Sequence, residues 1–210
     1  MSEELVFYTH PMSRGRTVRW ILEELGVPYR TELLDYGTSM KAPDYLAINP
    51  LGKVPAITHK GAVVTETAAI CTYLADAYPD AGLAPLPSDA ARRAPYLRWM
   101  FFAAGPIEAA ATNRALKLEA PAERAALLGY GSFDDAVDTL AAVLQKSPYI
   151  AGDLFTAADV ITSVQIAWGV LGAAKERAPE FQDYLDRTTN RPAAVRAREI
   201  DDALLAAKTE

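Results

Sequence analysis

The sequence predicts an α/β domain followed by an all-helical domain. Three observations predict it. The first 34 residues alternate strand, helix and strand patterns; a proline-rich break falls at 79–90; and no strand pattern appears beyond that break. A length of 210 residues accommodates one large domain or two small ones.

Leu5–Tyr8 is a short apolar run that reads as a buried strand. Val18, Ile21, Leu22 and Leu25 then recur at i, i+3, i+4 and i+7, which places them on one helix face, and Gly26 is a natural stop. Pro28–Leu34 can form a second strand. Strand, helix and strand within about thirty residues make a βαβ unit with parallel strands. A weak helix is expected around Pro43–Ala47. In "NPLGKVPAI" a turn precedes a strand, and Val54, Ile57, Val63 and Val64 flank a hairpin at Lys60-Gly61. "TETAAICTYLADAY", 65–78, returns to helical spacing. The order is βαβαββα.

The stretch "PDAGLAPLPSDA" reads as a linker. The expected boundaries are 1–80 for the first domain, 81–88 for the linker and 89–210 for the helical domain. Helices are expected at 89–117, 121–145, 156–174, 178–189 and 192–207. Thr156 and Asp159 have the S/T-x-x-D spacing of a capping box. Val160, Val164, Ala167, Trp168 and Leu171 form one stripe behind them, on a helix so poor in charge that it is expected to be buried nearly all round.

Composition excludes several functions. A net charge of -6 argues against a general nucleic-acid binder. The longest uncharged run, between Asp159 and Lys175, has 15 residues, short of the roughly 20 needed to span a bilayer. A single cysteine, Cys71, cannot form an internal disulfide, so a reducing, cytoplasmic setting is expected. His10 and His59 have no second ligand at metal-binding spacing, so no metal is expected.

Three short stretches can carry chemistry. At "THPMSRGR", Ser13 precedes a helix whose start favours an anion, with Arg14 and Arg16 adding positive field. Read alone, Ser13 is an N-cap. At "KVPAI", a cis bond before Pro55 would present the N–H and C=O of Val54 to an extended peptide. At "TET", Glu66 can hold an ammonium group and Thr67 a carboxylate at a helix start. Read alone, this is an acidic first turn and a cap.

Taken together, the "SRGRTVRWILEELGVPY", "NPLGKVPAI", "TETAAICTYLADAYP" and "AGDLFTAADV" stretches, with the proline linker, resemble the cytosolic glutathione S-transferases of serine type (theta- or phi-like bacterial members) over nearly the whole chain. The resemblance implies a thioredoxin-like first domain, glutathione as co-substrate, a small electrophile as second substrate, and a homodimer. It assigns Ser13 to the glutathione sulfur, and it implies that Arg14 also borders glutathione. Val54 and Pro55 fall to the cysteinyl part, Glu66 and Thr67 to the γ-glutamyl end, and Lys41 and Lys53 to the glycyl carboxylate. It assigns Thr156 and Asp159 to a structural cap. Tyr8 ends the first strand where tyrosine-type members carry their hydroxyl, so Tyr8 stands as the alternative to Ser13. The spacing from Ser13 through Glu23-Glu24 to Pro28-Tyr29 fits the serine pattern better.

Met12, Phe102, Asn113 and Trp168 are candidates for the second substrate. Trp99, Phe101 and Phe102 lie in the first helix after the linker and are aromatic, at least two of them expected to serve packing. Cys71 falls mid-helix as a small core residue, which counts against thiol–disulfide chemistry at an enzyme cysteine. The alternatives are a glutathione-dependent peroxidase or reductase, or a non-catalytic module of the same fold that binds a protein partner.

Overall fold

The structure, a computed structural model, describes residues 4–170, 172 and 178–207. Contacts divide the chain into two units, 1–81 with 192–210, and 82–191.

In the first unit, β1 (Val6–Thr9) pairs in parallel with β2 (Arg30–Leu33) and antiparallel with β3 (Ala56–His59). β3 pairs antiparallel with β4 (Ala62–Thr65), giving the order β2-β1-β3-β4. This is the expected thioredoxin-like arrangement. Between the parallel strands runs α1 (Gly15–Leu25). Its apolar stripe is buried at Val18, Ile21 and Leu22, and Gly26 returns its N–H to the Leu22 carbonyl at 3.1 Å. The short α2 (Pro43–Leu46) and α3 (Thr67–Ala77) complete the βαβαββα order.

Alternation along β1 sends successive side chains to opposite faces of the sheet. The Arg19 guanidinium of α1 lies over the Phe7 ring, 5.2 Å from its centre. Tyr8, on the other face, packs against Tyr45 of α2 at 5.7 Å between rings and joins a cluster with Met40 and Ala56. Cys71 is fully buried in α3, and burial pushes its thiol up to about 12.

The second unit contains α4 (Ala90–Phe102), α5 (Glu108–Ala115), α6 (Phe133–Leu144), α7 (Ala157–Gln165) and α8 (Glu180–Thr189). The helix expected over 89–117 is interrupted by a wide turn at Ala103–Ile107, where Pro106 cannot donate a backbone hydrogen bond. The helix expected over 121–145 is a 3-10 segment, Ala122–Leu127, and then α6, which starts at a capping box between Ser132 and Asp135. A second wide turn, Ile166–Val170, follows α7. It sets Trp168 at 61% exposure, so the expected all-round burial holds only for the first two turns. Leu171, the last position of the expected stripe, lies outside the described residues.

The last helix, α9 (Pro192–Ala206), was expected within the helical domain but falls in the first unit, packed on α1. Charge explains the difference. Arg19 and Asp201 pair at 2.8 Å with side chains only 2% and 1% exposed, and Tyr29 and Thr31 accept further bonds from the same guanidinium. A buried ion pair has no signature in hydrophobic periodicity.

Candidate functional site

The sheet register aligns Tyr8 of β1 with Ala56 of β3, and Ala56 with Thr65 of β4. One edge of the sheet therefore carries the exit of β1 toward Ser13, the entry to β3 after Val54-Pro55, and the exit of β4 into Glu66-Thr67. The three stretches singled out in the sequence meet there through strand pairing.

Ser13 sits in the loop before α1. The N-cap position itself is taken by Arg14, which has helical backbone angles and no side-chain cap, so the expected cap is displaced by one residue. Ser13 still serves the helix end, because its Oγ accepts the Gly15 N–H at 2.9 Å. Its own proton goes to the His10 carbonyl at 2.6 Å, and its backbone N–H donates to the same carbonyl at 2.9 Å. The Met12 N–H donates to His10 Nδ1 at 3.2 Å. Gly15 is needed at this place: a Cβ there would lie 1.9 Å from Thr9 Oγ1 and 2.9 Å from Ser13 Oγ. Arg16, expected as a source of positive field, is neutralised locally by Asp202 at 2.6 Å.

The bond between Val54 and Pro55 is cis. Two residues that the sequence reading passed over hold this turn. The Tyr45 hydroxyl donates to the Lys53 carbonyl at 2.5 Å and Asn49 Nδ2 donates to it at 2.8 Å. Burial pushes the Tyr45 hydroxyl up to about 12, so it stays a donor. The signal was present in Asn49, the first residue of "NPLGKVPAI". Lys41 Nζ donates to the Leu51 carbonyl at 2.7 Å, which leaves further N–H groups of the ammonium for another acceptor. Gly52 (φ 56°) admits this packing, since a Cβ would lie 2.5 Å from the Met40 carbonyl. The Lys53 side chain is exposed.

Glu66 is exposed and adopts φ 68°, ψ 122°, an unusual backbone for a residue with a side chain. No side chain caps α3, so the N–H groups of its first turn, beginning at Thr67, face outward as helix geometry requires.

Of the proposed second-substrate residues, Met12 belongs to the first unit and is 71% exposed. Phe102, Asn113 and Trp168 belong to the second. Phe102 packs edge-on against the buried Trp99 at 5.2 Å, while Phe101 is exposed. Asn113 Nδ2 donates to the Tyr130 hydroxyl at 2.9 Å. His59 lies between the Tyr73 and Tyr78 hydroxyls, each at 3.1 Å. Among the described residues no group of three or more His, Cys, Asp or Glu side chains is disposed to hold a metal ion, and no helix is long and apolar enough to cross a membrane.

Residues 12–77, from the Ser13 loop to the end of α3, match the family described as glutathione S-transferase, N-terminal domain. Glutathione S-transferase 3 of Zea mays is 30% identical over 164 residues, 74% of this chain and 73% of that protein. Glutathione S-transferase GST-4.5 of Xanthomonas campestris is 29% identical over 166 residues, 77% and 80% of the two chains. A shorter match, 36% over 90 residues, covers 43% of this chain and 37% of glutathione S-transferase 3 of Schizosaccharomyces pombe. Among solved structures, a glutathione transferase from Methylococcus capsulatus is 28% identical with a TM-score of 0.76, covering 95% of this chain and 99% of that one. A sphingomonad glutathione S-transferase complexed with glutathione is 26% identical with a TM-score of 0.76, covering 94% and 98%. The fold, the edge that gathers the three stretches and these likenesses agree, and the chain belongs to the glutathione S-transferase family.

Proposed function

We propose that this protein is a glutathione transferase that holds glutathione along the sheet edge and activates its thiol at Ser13 for attack on a small electrophile. The register that aligns Tyr8, Ala56 and Thr65 carries this reading, because it gives one extended tripeptide three successive partners. The backbone of Val54 pairs with the cysteinyl residue. Glu66 takes the γ-glutamyl ammonium, and Thr67 with the open first turn of α3 takes the carboxylate beside it. Lys41 and Lys53 face the glycyl carboxylate as point charges. Arg14 borders the sulfur end.

At the upper end of its range, a hydroxyl can supply the shift without a general base. A thiol of pKa ~8.5 must lose roughly two units to be mostly thiolate at neutral pH, which needs about 2.7 kcal/mol of preference for the anion. A hydrogen bond to a charged acceptor contributes ~1.5–3 kcal/mol, and the bond to the His10 carbonyl that Ser13 gives up is worth only ~0.5–1.5. The remainder comes from the helix end, ~0.3–1 kcal/mol or more when partly buried, which reaches the hydroxyl through the Gly15 N–H. The thiolate then attacks an electrophilic carbon. A C–S bond forms and the leaving group departs with its electron pair. Solution as a cytoplasmic homodimer accords with the family's habit.

The test is retention on immobilised glutathione together with turnover of a generic aryl halide. Retention with turnover in the wild type, and a raised pKa of the bound thiol in Ser13→Ala but not in Tyr8→Phe, is the expected result. Retention without turnover of any electrophile would make the chain a binding module. An unchanged thiol pKa in Ser13→Ala would remove Ser13 from the mechanism. Reductase chemistry through an enzyme thiol finds no support in Cys71, whose burial keeps it protonated.

A further inference from the structure

Arg16 has two partners besides any ligand. Its Nε donates to the Pro11 carbonyl at 2.5 Å and its Nη2 to Asp202 Oδ1 at 2.6 Å. Pro11 belongs to the loop that ends in Ser13, and Asp202 belongs to α9. Two further pairs run along the same stripe of α1. Arg19 meets Asp201 at 2.8 Å, and Arg196 reaches both the Glu23 carboxylate at 3.3 Å and the Glu23 carbonyl at 3.1 Å. Positions 16, 19 and 23 follow i, i+3 and i+7 and so share one face of α1. Residues 202, 201 and 196 meet them in the reverse order, which fixes the register of α9 on α1.

We propose that Arg16 is a positioning residue: a two-point brace that ties the 10–13 loop, and with it the Ser13 hydroxyl, to α9, and not a cation that stabilises the thiolate through its field. The inference rests on the reading of Ser13 as the thiol-activating group. With Asp202 at 2.6 Å, the guanidinium presents a compensated pair to anything further away, so little net positive field is left for a sulfur. What the guanidinium keeps is geometry. Its planar fork holds two acceptors in a fixed relation, which a single ammonium cannot reproduce. Within the loop, Met12 and Ser13 bond back to His10, and from outside it Tyr36 packs on the His10 ring at 4.5 Å and its hydroxyl reaches the Met12 carbonyl at 3.4 Å, so Arg16 is the link that runs to α9.

The two roles predict opposite signs. Asp202→Ala removes the acceptor and leaves the Arg16 charge uncompensated, so a field role lowers the pKa of the bound glutathione thiol, whereas a brace role raises it. Arg16→Lys keeps the charge and loses the fork, so a field role leaves the pKa alone and a brace role raises it. On the full chain, ultraviolet titration of the thiolate is expected to show a rise of about 0.5 unit or more in both variants, with kcat down about threefold and KM for glutathione within about twofold. Amide exchange at Ser13 and Gly15 in the unliganded protein is expected to accelerate in both. A lowered thiol pKa in Asp202→Ala, a wild-type pKa in Arg16→Lys, or unchanged exchange at Ser13 and Gly15 overturns the brace. If wild-type protein shows no thiolate with glutathione bound, the reading of Ser13 fails, and the exchange measurement alone decides whether the loop is braced.

Discussion

A threonine stands at the head of both α3 and α7, as the first helical residue of α3 (Thr67) and as the N-cap of α7 (Thr156), and the two first turns are built in opposite ways. At α7 the cap is closed. Asp159 Oδ2 accepts the Thr156 N–H at 2.8 Å and the Thr156 hydroxyl at 3.2 Å, while Oδ1 accepts the Ile150 N–H at 2.7 Å and the Tyr184 hydroxyl at 2.9 Å. Asp159 is fully buried. At α3 no side chain returns to the first turn, and Glu66 is held exposed at positive φ. Sequence explains the contrast, since the third helical position is Asp159 in α7 and Ala69 in α3. A closed cap spends its donors on the fold; an open one keeps them for a ligand.

The largest expected effect comes from opening the closed cap. Asp159→Ala strands the buried N–H donors of Ile150 and Thr156 besides the threonine hydroxyl, at about 1–3 kcal/mol each when unsatisfied, so urea unfolding should lose about 3 kcal/mol or more while glutathione affinity stays within twofold. The pH dependence runs against the usual carboxylate sense. Burial pushes the Asp159 carboxyl up to about 6, above its ordinary range, although the Ile150, Thr156 and Tyr184 donors pull it down. A raised folded pKa means that the folded protein binds the proton more tightly. This contribution to stability is therefore complete below about pH 4, declines as pH rises to about 6 and is flat above. Subtracting the pH–stability profile of Asp159→Asn from that of the wild type isolates it; a difference that grows from pH 4 to 6 would refute the assignment.

The start of α1 lies between these extremes. It is capped by Ser13 Oγ, yet the hydroxyl proton rests on a carbonyl from which it can rotate. On the proposed reading, Ser13→Ala should lower kcat/KM by about 10- to 100-fold, the equivalent of one hydrogen bond to a charged acceptor, with KM for glutathione little changed. Parallel losses in kcat and in affinity would instead mark Ser13 as a binding group.

How legible all this was depends on the range of the interaction. Periodicity located β1 to β4, α1 and α3, because each buries a local stripe. It missed the breaks at Ala103–Ile107 and Ile166–Val170, where apolar composition continues while backbone pairing shifts. The capping box at Thr156 was legible because its partner is three residues away. The brace from Arg16 to Asp202, the pair of Arg19 with Asp201, and the grip of Tyr45 and Asn49 on Lys53 were not. Each depends on a side chain meeting a group that only the fold brings near. The three site stretches were legible as chemistry, but what joins them is strand register, which no single stretch contains.

Filling the open end of α3 with a residue suited to its backbone separates fold from function. Glu66→Gly relieves a positive φ, which should stabilise the protein by about 1 kcal/mol. It also removes the carboxylate proposed for the ammonium, which should weaken glutathione binding about tenfold, or ~1.4 kcal/mol. Stability and affinity moving in opposite directions is the outcome that marks a functional backbone; a stabilised protein with unchanged affinity would leave Glu66 without a ligand role.

The smallest effect is expected at Tyr8, and it is informative because it is small. The Tyr8 ring turns to the α2 face, against Tyr45, Met40 and Ala56, whereas α1 lies over Phe7 on the other face. A hydroxyl on that side has no helix end behind it, since α2 is a single turn. Tyr8→Phe keeps the ring and its packing, so stability should stay within about 0.5 kcal/mol, the range of a substitution that leaves packing intact. The thiol pKa of bound glutathione should match the wild type, and kcat/KM should fall by less than about twofold, under 0.5 kcal/mol. A raised thiol pKa in Tyr8→Phe, with Ser13→Ala unchanged, would move the activating group across the sheet and make the capped start of α1 as purely structural as that of α7.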